Sequence, residues 1–140
     1  GRRLRIEAFD KYLDDKYLPS IKIGDNVSIQ TDCHIGAINN IIIGNNVVIA
    51  SKVYICDHSH GETNFESLKK RPALRKLFSK GPVIIKNNVW LGEGVVVLPG
   101  VTIGENCIVG ANSVVTKSFP SNCVLAGIPA RIIKEIKYEE

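Results

Sequence analysis

The sequence predicts an all-β solenoid, a parallel β-helix, because one apolar residue recurs every six positions along much of the chain. The recurring residues form three runs: Ile23, Ile29 and Ile35; Ile43, Ile49 and Ile55; and Ile85, Leu91, Val97, Ile103, Val109 and Val115. A second small or β-branched residue follows most of them four positions later, and Gly or Ala often follows directly. A period of six is not the helical period of 3.6 and is typical of short strands separated by tight corners.

Composition and length agree with one β-helix domain over residues 1–140. Apolar residues make up 44% of the chain and charged residues 23%, a composition typical of globular proteins that argues against disorder. Only four Phe, four Tyr and one Trp are present, so Ile and Val must fill the core. The chain has no Met and starts at Gly1, as expected of a processed chain or of a fragment without its upstream residues.

The first half of the chain is expected to form an edge strand and about two coils. Residues 4–9 alternate like an edge strand, and residues 10–19 carry turn signals and are predicted to be a loop. Coils follow over residues 21–60, where the six-residue period slips by two and predicts a bulged corner at 37–40. Asn and Gly at the corners tolerate the positive φ that sharp turns need.

The second half begins with a break in the period. Residues 61–82 are predicted to be a loop extruded from the solenoid, with short amphipathic helices interrupted by Pro72. Residues 83–118 predict two uninterrupted coils, and residues 129–138 a tail that caps the open end. The basic run of residues 69–80 is either a solvated face or a landing site for an anionic ligand.

The four cysteines predict free thiols. Cys33, Cys56, Cys107 and Cys123 show no CxxC spacing, which argues against a zinc knuckle or a redox pair. No signal peptide and no membrane-spanning run is visible, so we expect a cytoplasmic protein. The sequence offers no nucleic-acid-binding motif.

The densest reactive cluster lies at the start of the extruded loop. It comprises Asp57, His58 and His60. His60 is the sixth residue of the unit that begins at Ile55, a position that faces outward beside a corner. A histidine of near-neutral pKa suits general-base catalysis, and we favour His60 for that role, with Asp57 or a backbone carbonyl fixing its tautomer.

The motifs around this cluster resemble the hexapeptide-repeat acetyltransferases, most closely those that acetylate sugars of bacterial surface polysaccharides. The segments that carry the resemblance are Asp57-His58-Ser59-His60-Gly61, Trp90-Leu91-Gly92, Leu98-Pro99-Gly100-Val101-Thr102-Ile103-Gly104, Val109-Gly110-Ala111, Ser113-Val114-Val115-Thr116-Lys117 and Ala126-Gly127-Ile128-Pro129-Ala130-Arg131. The resemblance covers about residues 20–133 and implies a left-handed parallel β-helix. It also implies a homotrimer with active sites between subunits.

The resemblance further implies acetyl-CoA as co-substrate, bound in a groove parallel to the solenoid axis, with no metal. The matching positions are Trp90 on the groove, Ala111 at the pantetheine arm, and Thr116, Lys117, Arg131 and Lys134 near the CoA phosphates and adenine. A backbone N–H near Gly92 is the candidate donor for the reaction's oxyanion. Asp32 and His34 are predicted to contact the acceptor.

The expected activity is therefore O-acetylation of a sugar or surface-glycan precursor. N-acetylation of an amino sugar or xenobiotic amine is an alternative within enzymes, and a non-catalytic assembly module is an alternative outside them. A zinc site built from His34, His58 and His60, as in carbonic anhydrases that share this solenoid, is a further alternative that we disfavour.

Overall fold

A computed structural model describes residues 1–139. Its elements, in chain order, are β1 (Arg5–Ala8), β2 (Lys11–Tyr12), β3 (Asp15–Lys16), β4 (Ser20–Ile23), β5 (Ser28–Ile29), β6 (His34–Ala37), β7 (Asn40–Ile43), β8 (Val48–Ile49), β9 (Tyr54–Cys56), β10 (Ser59–His60), α1 (Phe65–Leu68), a 3-10 turn (Pro72–Leu74), β11 (Leu77–Phe78), β12 (Val83–Ile85), β13 (Trp90–Leu91), β14 (Val96–Val97), β15 (Thr102–Ile103), β16 (Ile108–Val109), β17 (Val114–Val115), β18 (Cys123–Gly127) and β19 (Ala130–Glu135). The two helical turns, of four and three residues, are too short to cross a membrane.

Three sheets form the walls of a solenoid. Sheet 1 has the order β1-β6-β9-β14-β17, sheet 2 the order β15-β12-β7-β4, and sheet 3 the order β19-β18-β16-β13-β8-β5. The chain visits sheets 3, 1 and 2 in turn, and all pairs within them are parallel except β18 with β19. This arrangement is the parallel β-helix that the six-residue period predicts.

The core is a stack of aliphatic layers between the three sheets. Every predicted inward position from Ile35 onward is buried, among them Ile49, Leu91 and Val109. The positions up to Ile29 are less buried, because β4 and β5 are terminal strands: Ile23 is 40% exposed, and Val27 and Ile29 are half-buried. Cys33 and Cys107 are buried among the aliphatic side chains as small apolar residues, as expected.

Asn and Gly occupy the corners for different structural reasons. Asn26 and Asn46 take positive φ values of 56° and 58°, as expected of corner residues. Gly44 does not, and the reason for glycine there is space: an added Cβ would lie 2.9 Å from the backbone nitrogen of Asn87 on the next coil. Side-chain amides link successive corners, since Asn87 Oδ1 accepts from the backbone N–H of Asn45 at 2.8 Å.

Most predicted elements outside the coils are confirmed. The edge strand is β1, which pairs with β6, and the tail folds back as β19 on β18 with Ala130 fully buried. The extruded loop (residues 61–82) leaves between β9 and β12 and contains α1 and the 3-10 turn at Pro72. The prediction for residues 10–19 was wrong in part: they form a small hairpin of β2 and β3, with Leu13 in its turn at φ 54°.

Candidate active site

Asp57 anchors the corner between sheets 1 and 2, where the chain leaves the coil after β9. Its side chain is fully buried and accepts hydrogen bonds from the backbone N–H groups of Ile38 at 2.9 Å and Asn39 at 2.8 Å. Those two groups belong to the bulged corner that the slip in the period predicted, where no sheet ladder satisfies them. A buried carboxylate is tolerated because several donors surround it.

His58 is the third partner of that carboxylate. Its Nδ1 lies 3.0 Å from Asp57 Oδ1, and the Cys56 sulfur lies 3.4 Å from the same nitrogen. The ring is half-buried and packs edge-on against Phe9, with centroids 5.8 Å apart. A carboxylate on Nδ1 fixes the tautomer and turns Nε2 away from it, which is the arrangement a general base requires.

The surroundings shift the pKa values of both groups. Burial would lower the pKa of His58, but the hydrogen bonds to Asp57 and Cys56 outweigh it and raise that pKa to about 9. Burial would raise the pKa of Asp57, but the hydrogen bonds from His58, Ile38 and Asn39 outweigh it and hold that pKa below its ordinary value. The charged pair is therefore the resting form at neutral pH.

His60 has a different environment. It lies in β10, opposite Leu77 of β11, and its exposed ring packs edge-on against Tyr12 with centroids 5.6 Å apart. The hydrogen bond of Asp57 goes to His58 and not to His60. The sixth-position register that placed His60 in the groove applies only while the chain follows the coil, and the coil ends at Cys56.

Gly36 leaves a small gap beside His58. An added Cβ there would lie 3.7 Å from His58 Cε1, 3.6 Å from His34 Nε2 and 3.9 Å from Phe9. His34 Nε2 lies 3.1 Å from a carboxylate oxygen of Glu7. The structure therefore brings His34 and His58 together at the gap above one glycine, and the sequence patterns singled out neither Gly36 nor Glu7.

The N-terminal hairpin braces the extruded loop. The Tyr12 hydroxyl donates to the carbonyl of Ala73 at 2.7 Å, and the Tyr17 hydroxyl donates to the carbonyl of Leu77 at 3.1 Å. Sequence reasoning missed both tyrosines because their partners are about 60 residues away along the chain. Two tyrosines flanking a turn were the only signal available.

The predicted CoA-groove residues lie mainly on sheet 3. Trp90 points outward from β13 and is 52% exposed, and Gly92 and Ala111 are neighbours on successive coils, since a Cβ on Gly92 would lie 2.8 Å from the Ala111 nitrogen. A backbone donor near Gly92 for the oxyanion stays a prediction, but the N–H of Gly92 itself is not free for that role. That group already donates to the carbonyl of Val109 at 2.8 Å, as a rung of the ladder between coils.

The candidate residues for binding the CoA phosphates and adenine lie in two places. Lys134 and Arg131 both lie in β19 at the end of sheet 3, where they pair with Val124 and Ala126. Thr116 and Lys117 follow β17 of sheet 1, where the Lys117 ammonium sits 5.6 Å from the Phe119 ring centroid. Thr116 and Lys117 therefore share a corner with Asp57, two strands further along sheet 1.

Trp90 and Asp32 lie on other sides of the solenoid than His58 does. Sheet 3, with Trp90, lies across the core from the corner between sheets 1 and 2, so Trp90 and His58 do not meet within one chain. Asp32 lies at the corner between sheets 3 and 1, where Arg3 binds both carboxylate oxygens, at 2.6 and 2.9 Å. Among residues 1–139, no group of three or more His, Cys, Asp or Glu residues could hold a metal ion.

Comparisons with known proteins agree with this architecture. The family model described as bacterial transferase hexapeptide (six repeats) matches residues 82–117. WbbJ of Escherichia coli K12, whose name gives lipopolysaccharide biosynthesis O-acetyl transfer as its provisional role, is 41% identical over 142 residues, which cover 99% of this chain and 69% of WbbJ. Galactoside O-acetyltransferase of the same strain is 40% identical over 120 residues, 86% of this chain and 56% of that enzyme. The chain thus spans between about half and seven tenths of these relatives.

Solved structures show the same fold. A maltose O-acetyltransferase from Clostridium difficile 630 superposes with a TM-score of 0.74 at 34% identity, over 97% of this chain and 68% of that one. An acetyltransferase from Vibrio cholerae in complex with acetyl-CoA superposes with a TM-score of 0.78 at 27% identity, over 98% of this chain and 70% of that one. The predicted left-handed parallel β-helix is confirmed. The chain belongs to the family of hexapeptide-repeat acetyltransferases.

Proposed function

We propose that this chain transfers the acetyl group of acetyl-CoA to a hydroxyl group of a sugar or surface-glycan precursor, with His58 as the general base. The observation that carries the proposal is the buried Asp57 carboxylate on His58 Nδ1, beside the gap at Gly36. The sugar acceptors named for the relatives support the acceptor class, and the acetyl-CoA and CoA complexes of similar structures support the donor.

The chemistry needs only one proton acceptor and good alignment. His58 Nε2 takes the proton of the acceptor hydroxyl as its oxygen attacks the thioester carbonyl. The tetrahedral intermediate then expels the CoA thiolate, which receives a proton from the imidazolium. Asp57 stabilises the imidazolium between these steps. Alignment of the two substrates contributes on the order of 7–11 kcal/mol at its limit.

The test of the base compares two histidines that lie two residues apart. We expect His58→Ala to lower kcat by at least about a hundredfold with little change in acetyl-CoA affinity, and His60→Ala to be milder. Acetyl transfer is followed by thiol release and by the mass of the product. A larger loss in His60→Ala would restore the ranking made from the sequence, and no thiol release by the unaltered protein would leave only a binding module.

We further propose a homotrimer whose active sites lie between copies. Trp90 and His58 occupy opposite sides of one solenoid, so a single site can use both only if two copies contribute. Phe65 and Leu68 of the extruded loop are 86% and 62% exposed, as expected of a segment that docks on a neighbour. In this arrangement Trp90, Gly92 and Ala111 line the CoA groove.

Mixed trimers provide the test. His58→Ala and Trp90→Ala copies are each expected to be weakly active alone. Refolded together at equal amounts, they should regain about one quarter of the sites, because random mixing pairs one intact His58 with one intact Trp90 at that frequency. Light scattering should give a trimer mass. A monomer mass at micromolar concentration, or no recovery on mixing, would contradict the shared site.

A further inference from the structure

The charge of this chain is concentrated in the extruded loop. Residues 61–82 hold six of the 18 basic residues and two of the 14 acidic ones, so the loop carries the entire net charge of +4 and the rest of the chain is neutral. The basic residues are Lys69, Lys70, Arg71, Arg75, Lys76 and Lys80. Such a concentration on one segment attracts anions.

A pocket of about 420 Å³ lies within the loop. Gly61, Lys70, Arg75 and Lys76 are among its lining residues. Gly61 has a φ of 85° and lies under the Arg75 side chain, since an added Cβ would be 2.9 Å from Arg75 Cδ. The arginine stem therefore forms part of the wall directly after His60.

The acidic residues of the pocket already have partners. The carboxylate of Glu66 accepts from the ammonium of Lys69 at 2.7 Å, and that of Glu62 accepts from the side-chain amide of Asn64 at 2.7 Å. In the part of the chain that the structure describes, neither carboxylate forms an ion pair with Lys70 or Arg75.

Lys70 and Arg75 are held together without a counterion. Arg75 Nε donates to the carbonyl of Lys70 at 2.9 Å, which leaves the two terminal guanidinium nitrogens for other acceptors. Within residues 1–139, neither side chain forms an ion pair with a carboxylate. A planar guanidinium and an ammonium that line the same pocket are well matched to a carboxylate or a phosphate.

The position of this pocket assigns it to the acceptor rather than to CoA. It starts three residues after His58, and its Leu77 wall is paired with His60. The candidate CoA-phosphate residue Lys117 lies two strands further along sheet 1, which corresponds to about 10 Å along the solenoid. The pocket therefore lies beside His60, two residues from the proposed base, and not at the corner of Lys117, so we take the acceptor rather than CoA as its ligand.

We infer that the acceptor carries an anionic group, a sugar carboxylate or a phosphate ester, and that Lys70 and Arg75 bind it while a hydroxyl of the same molecule reaches His58. This inference rests on the proposed acetyl transfer and names the class of acceptor. The two anions share the same recognition chemistry, and the choice of probes separates them.

The experiment measures acetylation of three matched probes: glucose, glucuronate and glucose 1-phosphate. The unaltered protein should prefer one or both anionic probes over glucose by about tenfold or more in kcat/KM, as expected of a charge-assisted hydrogen bond. The preference should fall as salt rises. Lys70→Gln and Arg75→Gln, singly and together, should reduce the ratio of anionic to neutral rates towards one.

Lys80→Gln is the matched control, because it removes the same charge from the same loop at an exposed residue that does not line the pocket. Equal use of glucose and both anionic probes would overturn the inference and leave the acetyl transfer standing. An equal effect of Lys80→Gln, or a raised KM for acetyl-CoA with an unchanged probe ratio, would overturn it too.

A binding measurement separates the proposed anion site from the proposed acetyl transfer. If no probe is acetylated, calorimetry with glucuronate and glucose 1-phosphate decides. Binding that is lost in Lys70→Gln would support the anion site and count against the proposed reaction. Absence of binding in the unaltered protein would overturn the site.

Discussion

Replacing Asp57 by Asn tests the proposed base most directly, because it removes a charge and keeps the shape. The carboxylate accepts three hydrogen bonds, from Ile38, Asn39 and His58. An amide has one oxygen, so its NH2 group must face one of these donors. The loss of stability should be about 1–3 kcal/mol, the usual effect of one unsatisfied buried group.

The effect on catalysis follows from the pKa of His58. In the unaltered protein this pKa is about 9, so the imidazole is mostly protonated at pH 7 and activity should rise with pH up to about 9. Without the Asp57 charge, only the contact with Cys56 opposes burial, and the pKa should fall towards its ordinary value of about 6.5. The plateau should also fall, on the order of 10²-fold or more, since the ring loses its orientation.

The assay is kcat/KM for acetyl transfer between about pH 5.5 and 10, with thermal melting as a check that each variant is folded. Cys56→Ala serves as a companion variant, because the Cys56 contact also raises the pKa of His58. The pH at which its activity rises should be lowered less than in Asp57→Asn. The pH at which activity rises reflects the coupled titration of Cys56, Asp57 and His58 rather than that of one atom. If the activity of Asp57→Asn still rises up to about pH 9, His58 is refuted as the titrating base.

Three further predictions concern the cofactor, the gap and the core. Lys117→Ala and Arg131→Ala should each raise KM for acetyl-CoA with little change in kcat, less so at high ionic strength; unchanged kinetics in both would place the CoA phosphates elsewhere. Gly36→Ala should lower activity but not the melting temperature, since its methyl group would make ordinary contacts of 3.6–3.9 Å and Ala is favoured over Gly in a strand; a large drop in melting temperature would contradict this. Leu91→Ala should reduce the free energy of unfolding by about 2–5 kcal/mol in urea titrations, and more than Val96→Ala; equal losses would argue against a core filled from one face.

The coil architecture was predictable because burial in a solenoid is a local, repeated property. Each inward residue from Ile35 onward could be read from its spacing alone, and the break at 61–82 was visible as a loss of that spacing. The hairpin of β2 and β3 was not, because its tyrosines are fixed by contacts with Ala73 and Leu77 far along the chain.

The candidate site was predictable only as a region. The sequence alone identified the cluster of Asp57, His58 and His60 and the family motifs of the groove. Tertiary structure decided which histidine receives the carboxylate, because Asp57 is oriented by the backbone N–H groups of the preceding coil, 18 and 19 residues earlier. It also decided that Trp90 lies across the core from that pair, since the side of the solenoid a residue occupies depends on how the corners turn and not on its place in the six-residue unit.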